Sequence, residues 1–488
     1  MNLPGTGLIS SLFINISVEL RLLGAGTLYP PSGWRRSRSM SPDSLRCYAT
    51  LRHHGLVKQS WMNAERNPGT AALTVGLCFL GALCEGFDVQ AAGVAAGGLS
   101  RQLHPTPINL SAFFAASGAG LLLGAIVGGR LADRFGRKVV LVVSLIAFGC
   151  LSLLTSFAPA MPSLTAARFL TGLGLGGAMP NLIALAADSS NARRLNTSIA
   201  SAYVGMPLGG SLASLVVFFI PLEQWRVVFQ VGGVAPLIVA ALLSAYLPAG
   251  KASNPTATGG NSQGMLRELF GEGRAARTLL LWAAFLLSVL TLHLMLNWLP
   301  LLLSGRGLTK GATALAQAAF GAGAAVAALW VGVLLDSRWQ RTSIILSIVV
   351  LPVVLVLIAQ APPQPALMLC LALALGSAIL AGQVIVYAIA NASYAARARG
   401  TGIGAAVAAG RFGSLVGPLF AGALLAVGRT PSQVLIGVVP IVLASGLCVA
   451  LLTRYGLGPY ARSESAASPV ANAYHPSRPP RGATSRTR

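Results

Sequence analysis

The chain has 488 residues, of which 54% are apolar and only 10% are charged, and its formal net charge is +23. A water-soluble protein of this size could not present so apolar a composition to solvent, so the composition excludes an ordinary soluble globule and indicates a chain surrounded mostly by lipid. The positive charge alone could point to nucleic acid, but no stripe of interleaved basic and aromatic residues accompanies it, and we expect no nucleic-acid partner.

The N-terminal segment, 1–66, mixes Gly, Ser, Pro and Arg around one short apolar run, Leu8–Val18. That run is shorter than the roughly 20 residues that a membrane-spanning helix needs, and it lacks the basic start and the cleavage site of a secretory signal. We predict a disordered tail, with Met62 as an alternative translation start. The C-terminal segment, 454–488, is rich in Ser, Pro and Arg and predicts a second disordered tail.

Between these tails, apolar segments of about 20 residues recur twelve times, each long enough to cross a bilayer as a helix. The chain is therefore predicted to be an all-α membrane protein with twelve transmembrane helices in two pseudo-symmetric six-helix halves, 67–247 and 278–453, joined by a polar linker, 248–277. The predicted spans are 70–97, 111–129, 139–157, 163–187, 197–220, 227–247, 278–303, 312–335, 342–360, 365–390, 401–427 and 432–453.

Basic residues are divided unevenly between the two sets of loops. Fourteen Lys and Arg residues lie in the loops on the face that carries both termini, against five in the loops on the opposite face. Because cytoplasmic loops of membrane proteins are enriched in Lys and Arg, this division predicts cytoplasmic termini. We expect a multi-pass protein of the bacterial inner membrane.

Two acidic residues, Glu85 and Asp88, lie inside the first predicted span and share one helical face because they are three positions apart. A carboxylate in mid-membrane is costly unless it faces a water-filled cavity, a partner or a proton. These acids are candidates for proton coupling, and the alternative is a structural ion pair with an arginine from another helix.

Arg168 lies near the start of the fourth span, before a series of evenly spaced glycines. No strand precedes these glycines, so they indicate close helix packing and not a nucleotide-binding loop. A guanidinium inside a membrane can bind a carboxylate through two hydrogen bonds, so the partner of Arg168 is either the acid group of a substrate or Asp88.

The loop after the second span reads Gly-Arg-Leu-Ala-Asp-Arg-Phe-Gly-Arg-Lys from Gly129 to Lys138, and a shorter version, Gly332-Val-Leu-Leu-Asp336, follows the eighth span. This repeat supports duplicated halves with a binding site at their interface near the membrane midplane. The ten-residue stretch resembles the loop signature of the major facilitator superfamily, in which the loop latches the two halves together. The resemblance implies gating roles for Gly129, Asp133, Arg134, Arg137, Lys138 and Asp336.

The same resemblance implies that the eleventh helix packs on this loop. Arg411, which lies ten residues into the eleventh span, is then expected to form an ion pair with Asp133 that joins the halves and breaks when they rock. Contact between Arg411 and the substrate is the alternative. Asp188, at the end of the fourth span, is expected to pair with Arg134 or Arg137 in the same gate.

The stretch around the two acids reads Cys-Glu-Gly-Phe-Asp-Val-Gln-Ala-Ala-Gly from Cys84 to Gly93. It is similar to the aromatic acid:proton symporters, and in particular to the 3-(3-hydroxyphenyl)propionate transporters among them, with Glu85 in place of the more usual Asp. Similar stretches at 180–185, 231–237, 297–303 and 410–413 extend the resemblance over most of the core. The resemblance implies import of a small aromatic carboxylic acid together with protons.

Polar and aromatic side chains inside otherwise apolar spans are natural walls and anchors for a phenyl ring and its substituents. The last three of these candidates follow i, i+4, i+8 spacing and share one stripe of the tenth span. The candidates for substrate binding are Arg168, Gln90, Asn181, Tyr203, Asn297, Trp298, Gln383, Tyr387 and Asn391.

No pattern predicts a metal site, a cofactor or an enzyme: the cysteines inside spans lack CxxC spacing, and His293 is the single histidine in a span. We expect a monomeric transporter whose partners are an aromatic acid, protons and membrane lipid. The alternative is a drug or metabolite exporter that works by proton antiport, whose signature the stretch Gly205-Met-Pro-Leu-Gly-Gly210 matches only in part.

Overall fold

The computed structural model describes residues 68–190, 195–247, 269–271, 274–335, 337–394 and 396–454. The chain divides into a short unit, Met1–Ala71, of which only 68–71 are described, and a large unit, Ala72–Arg488. Within the described ranges, twelve helices are long and apolar enough to cross a membrane. The all-α, twelve-helix prediction is confirmed.

Each helix overlaps one predicted span, and most are longer because helical hydrogen bonding continues past the apolar residues that define a span. The fourth helix is broken at Gly177 into two segments, Met161–Gly176 and Ala178–Asp188. The helices are α1 Pro68–Leu103, α2 Pro107–Phe135, α3 Arg137–Phe157, α4 Met161–Asp188, α5 Leu195–Phe219, α6 Arg226–Tyr246, α7 Ala275–Gly305, α8 Lys310–Leu335, α9 Gln340–Gln360, α10 Pro365–Ser393, α11 Ala396–Ala426 and α12 Pro431–Arg454.

Local sequence fixes both ends of α2. The Thr106 hydroxyl accepts a hydrogen bond from the backbone N–H of Asn109, and Pro107 occupies the first turn, where its missing N–H has no consequence. At the other end, Gly136 adopts φ 88°, a conformation that favours glycine, and α3 begins at the next residue. The signature loop is therefore a tight reverse turn between α2 and α3.

Glycines let α2 and α4 approach closely, as the sequence predicts. A Cβ at Gly120 would lie 2.0 Å from the carbonyl oxygen of Phe169, and one at Gly172 would lie 2.2 Å from that of Ser117. Any larger residue at these positions would force the helices apart.

The two halves pack together at one end of the bundle, the end at which α1 ends and α2 begins, which we call the closed end. The aromatic rings of Phe114 and Trp298, one from each half, meet edge to face with centroids 5.2 Å apart. The Ser211 hydroxyl on α5 donates to the carbonyl of Ala318 on α8 at 2.9 Å. One buried apolar cluster here draws on both halves.

At the opposite end, which we call the open end, the halves diverge. The buried clusters on this side belong to one half each. A Cβ at Gly129 on α2 or at Gly404 on α11 would meet nothing within 4 Å. These two glycines therefore make no close interhelical contact at the open end in this conformation.

Candidate functional site

A buried ion pair joins α1 and α4 inside the first half. Arg168 Nη1 lies 2.8 Å from Asp88 Oδ2, and Nη2 donates to the Asp88 backbone carbonyl at 3.0 Å. Both residues are 0% exposed. Of the two partners that the sequence leaves open for Arg168, the structure shows Asp88. Two of the Arg168 guanidinium nitrogens are engaged in this way, whereas Nε is buried without a partner in the described residues, and substrate binding by Arg168 stays a prediction.

Glu85 lies one helical turn from Asp88 and is 1% exposed. Its Oε2 is buried without a hydrogen-bond partner in the described part of the chain. The positive charge of Arg411 on α11 and the negative charge of Asp88 both act on this carboxyl group. Glu85 thus lies between the buried ion pair of the first half and a cation of the second half.

Arg411 on α11 acts electrostatically on aromatic and polar side chains from several helices. The side chains of Tyr203 on α5 and Tyr387 on α10 interact with each other across the two halves, and Arg411 and Glu85 both act electrostatically on Tyr203. Arg411 also acts on His293 of α7. We call these five residues the central cluster: Glu85, Tyr203, His293, Tyr387 and Arg411.

The central cluster combines a guanidinium with aromatic faces. The Tyr387 ring packs edge-on against Phe285 with centroids 4.9 Å apart, and the Arg411 guanidinium has no ion pair with any described acid. An arginine without a carboxylate partner, beside flat rings, can bind a carboxylate and hold an aromatic body. Sequence reasoning placed both tyrosines here but missed His293, whose position inside an apolar span was the available signal.

Four of the polar residues predicted to bind substrate make hydrogen bonds within the protein. The Asn181 amide donates to the backbone carbonyl of Gly177 at the break in α4, and the Asn297 amide donates to the backbone carbonyl of His293 one turn earlier, both at 2.7 Å. The Trp298 indole N–H donates to the backbone carbonyl of Pro418 at the closed end, at 3.0 Å. In an apolar helix, a polar side chain satisfies its donors on the nearest free carbonyl.

Gln90 is the fourth of these residues and bridges three helices. Its amide nitrogen donates to the carbonyl of Leu296 on α7 at 2.7 Å, and its amide oxygen accepts from Gln317 of α8 at 3.1 Å. With both ends of the amide engaged, Gln90 belongs to the contact between the halves and not to the central cluster.

The stripe predicted on α10 runs from the interior towards the open end. Gln383 is 7% exposed, and its amide nitrogen is one of the buried polar atoms without a partner in the described residues. Tyr387 follows in the central cluster, and Asn391 is exposed. Over eight residues, the stripe covers roughly 12 Å along the path to the open end.

The signature loop is anchored within the first half. Arg137 pairs with Asp188 at 2.6 Å, which is one of the two pairs that the sequence predicts for Asp188. The Lys138 ammonium donates to the carbonyls of Ser244 and Leu247 at the end of α6. The Arg134 guanidinium lies 5.2 Å from the ring of the adjacent Phe135. Asp336, the predicted counterpart in the second half, lies outside the described residues.

The register of α2 against α11 in this conformation places Asp133 and Arg411, which the sequence predicts to form an ion pair, at different levels. The helices α2 and α11 are antiparallel, and Gly118 and Ser414 lie at the same level along them, since a Cβ at Gly118 would lie 2.9 Å from Ser414. From that level, Asp133 lies fifteen residues towards the open end but Arg411 only three. The difference is roughly 18 Å along the axes, more than the two side chains can span. The register places Arg399, fifteen residues from Ser414, level with Asp133.

Comparison with known proteins identifies what this arrangement is similar to. The sequence profile of the Major Facilitator Superfamily matches residues 78–418. The chain is 40% identical over 394 residues to the 3-(3-hydroxy-phenyl)propionate transporter of Escherichia coli K12, covering 80% of this chain and 96% of that protein. It is 29% identical to the 4-hydroxybenzoate transporter PcaK of Pseudomonas aeruginosa, covering 82% and 95%.

A solved structure supports the fold independently of sequence. A mutant of the nucleoside transporter NupG superimposes with a TM-score of 0.66, covering 78% of this chain and 99% of that one. The two sequences are only 11% identical, so this likeness concerns the arrangement of helices and not the ligand.

Proposed function

The chain belongs to the major facilitator superfamily of multi-pass membrane transporters, and we propose that it imports a small aromatic carboxylic acid together with protons across the bacterial inner membrane. The observation that carries this proposal is the central cluster, in which Arg411 lies without a carboxylate partner among aromatic side chains from both halves. The aromatic acids named for the relatives support the same substrate class, with 3-(3-hydroxyphenyl)propionate or a close relative as the expected substrate.

The open end is proposed to face the cytoplasm. Loops at that end carry fourteen of the basic residues in the predicted core loops, against five at the closed end, and cytoplasmic loops are the ones enriched in Lys and Arg. Both termini are then cytoplasmic, and the conformation described above is open to the inside. Import requires the closed end to open and the open end to close in the other half of the cycle.

Arg411 is proposed to bind the substrate's carboxylate. The other arginine inside a span, Arg168, is held by Asp88 at 2.8 Å, whereas Arg411 is free to form two parallel hydrogen bonds to a planar acid group. The faces of Tyr203 and Tyr387 then flank the aromatic ring, and their hydroxyls can orient its substituents. For Arg411 we therefore propose contact with the substrate, which the sequence left as the alternative, in place of an ion pair with Asp133.

Glu85 is proposed to carry the coupling proton. Each of the two acids in the first span has one buried oxygen without a hydrogen-bond partner in the described residues, but Asp88 forms an ion pair with Arg168 at 2.8 Å, whereas Glu85 forms no ion pair with a described cation. A charged Glu85 competes with the substrate for Arg411, and a protonated one does not. Protonation and substrate binding thus favour each other, and the neutralised site can close and turn inward.

Replacing Glu85→Gln is expected to uncouple transport from protons. Glutamine keeps the size of the side chain and mimics the protonated acid, so the substrate can still bind Arg411 while no proton is carried. Proteoliposomes with the variant should exchange labelled substrate for unlabelled substrate but should not accumulate it under an inward proton gradient. Glu223→Gln, an exposed acid in the turn before α6, is the matched control and should accumulate normally. Accumulation by the Glu85 variant would move the proton elsewhere.

The latch of the other conformation is proposed to join Asp133 to Arg399. Two contacts fix the register of α2 against α11, since a Cβ at Gly118 would meet Ser414 and a Cβ at Gly422 would meet Ser111. Counting equal numbers of residues along the two antiparallel helices from either contact places Asp133 opposite Arg399 to within one residue. Arg399 Nε is buried without a partner in the described residues, so the guanidinium retains a donor for this contact.

A cysteine pair at these positions tests the latch. Asp133→Cys with Arg399→Cys should cross-link under oxidation and block uptake, and a reductant should restore uptake, because the link traps the conformation closed to the cytoplasm. Asp133→Cys with Arg411→Cys is the matched control and should not cross-link, since its positions differ by roughly 18 Å along the axes. Cross-linking of the control alone would reinstate the Arg411 gate.

A further inference from the structure

A second cavity lies between the halves at the closed end, apart from the central cluster. Its volume is about 210 Å³, and its walls come from α1, from the end of α5 and the turn after it, and from α7 and α8. Apolar side chains form most of the lining. The polar residues that line it and carry the argument below are Arg101, Ser304, Thr309, Lys310, Thr313 and Gln317.

Two cations border this closed-end cavity. Arg101 lies in the last turn of α1, is exposed, and makes no ion pair with a described acid. Lys310 begins α8, and its ammonium donates to the carbonyl of Ile220 beyond the end of α5. An ammonium has three donors, so Lys310 can hold this carbonyl and an anion together. The two charges make the cavity attractive to a carboxylate.

The opposite side of the cavity offers hydrogen-bond acceptors. Gln317 is 1% exposed, and its Nε2 donates to Gln90 Oε1 at 3.1 Å. The orientation of this amide is fixed, because Gln90 must present its own nitrogen to the Leu296 carbonyl and can therefore only accept from Gln317. Gln317 Oε1 is left buried without a partner in the described residues, and so is the hydroxyl of Thr313.

Unpartnered buried acceptors are costly unless a ligand or water satisfies them. Gln317 Oε1 can only accept, so it selects a group that carries a donor hydrogen. Lys310 and Gln317 are seven residues apart on α8, or roughly 10 Å along its axis. The cavity therefore presents cations at one side and the Gln317 acceptor at the other, with apolar walls and the Thr313 hydroxyl, three residues from Lys310, between them.

We propose that the closed-end cavity is a second binding site, which receives a hydroxylated aromatic carboxylate on the outer side before it reaches the central cluster. The carboxylate binds Arg101 and Lys310, the ring lies between the apolar walls, and the ring hydroxyl donates to Gln317 Oε1 or Thr313 Oγ1. The Gln90–Gln317 bridge closes the floor of the cavity and separates it from the central cluster. This inference rests on the proposed function for its substrate class and adds a site with its own selectivity.

A cysteine reporter tests the site in the purified, full-length protein. In the Ser304→Cys variant, alkylation of position 304 by a maleimide is followed by mass spectrometry, which separates it from the native cysteines. We expect 3-(3-hydroxyphenyl)propionate to protect this position, and 3-phenylpropionate, which lacks the hydroxyl, to require a concentration about five- to tenfold higher. An Asn109→Cys reporter, exposed at the same end outside the cavity, should not be protected by either acid.

A second substitution, added to the Ser304→Cys variant, distinguishes binding in the closed-end cavity from an indirect effect on the alkylation of position 304. Arg101→Gln should raise the half-protecting concentration of both acids about five- to tenfold, and Thr313→Val should do so for the hydroxylated acid only. Arg429→Gln, an exposed basic residue of the same end outside the cavity, should change neither. Protection should persist with Arg411→Gln, which disables the central cluster.

The outcomes separate this inference from the proposed function. Loss of protection with Arg411→Gln, or unprotected position 304 in a protein that transports aromatic acids, overturns the closed-end site and leaves the proposed function standing. Protection without any transport of aromatic acids overturns the proposed function and leaves the site. If the protein shows neither protection of position 304 nor transport of aromatic acids, both the closed-end site and the proposed function are refuted.

Discussion

The Arg411→Gln variant is expected to have an uptake efficiency, kcat/KM, for the aromatic acid that is lower than that of the wild type by at least about 30-fold. Removing one partner of a buried, hydrogen-bonded charge pair costs about 2 kcal/mol or more, and 1.4 kcal/mol corresponds to about tenfold. Arg411→Lys should fall between the variant and the wild type, because lysine keeps the charge but loses the fork of parallel donors. Initial rates of labelled substrate uptake into proteoliposomes measure all three proteins.

The control for this prediction is Arg429→Gln, which removes an exposed positive charge from the same half. It should transport as well as the wild type, so that a lower rate in the Arg411 variant reports the site and not the net charge. Size-exclusion profiles establish that each variant is folded. A folded Arg411→Gln protein with wild-type efficiency would show that the carboxylate binds elsewhere.

Arg168→Gln alone is expected to lower the free energy of unfolding by about 3–5 kcal/mol, because it leaves the charge of Asp88 buried without its partner. The structure gives this carboxylate no other cation within 4.0 Å among the described residues. The double variant Asp88→Asn with Arg168→Gln removes both charges and should regain most of the stability. Thermal unfolding of the detergent-purified proteins makes the comparison.

Asp188→Asn with Arg137→Gln provides the matched pair at the surface. That ion pair is short at 2.6 Å, but its side chains are 41% and 57% exposed, so either single change should alter stability by about 1 kcal/mol at most. Equal effects of the surface pair and the buried pair would contradict the importance given to burial. A double variant of the buried pair that is no more stable than Arg168→Gln would show that the two residues act separately.

The architecture was readable from the sequence because its signals are local. Apolar length identifies each span, and the glycines near Arg168 predict the close packing that the structure shows between α2 and α4. The pairing of Asp188 with the signature loop was also predictable, since Arg137 and Asp188 both lie at helix ends on the same side of the membrane. These inferences need only helix direction and residue type.

The partners inside the membrane were harder to predict because they depend on the vertical register of helices distant in sequence. Arg411 lies ten residues into its span, and the contacts of Gly118 with Ser414 and of Gly422 with Ser111 show that this level is far from Asp133. For Asn181 and Asn297 the sequence shows that a carbonyl lies four residues earlier, but not that the side chain turns to this carbonyl. His293 was missed because its position inside an apolar span, although visible in the sequence, does not show that Arg411 of another helix acts on it.

Uptake of labelled 3-(3-hydroxyphenyl)propionate by proteoliposomes containing the wild-type protein tests the central claim most directly. With an imposed inward proton gradient, the acid should accumulate above its external concentration, and a protonophore should return it to equilibrium. Unlabelled 4-hydroxybenzoate and gallate, related aromatic acids, should be compared as competitors, with xylose as a non-aromatic control. If the gradient drives no accumulation of this acid, nor of labelled 4-hydroxybenzoate or gallate in the same assay, the protein is not a proton-coupled importer of this class.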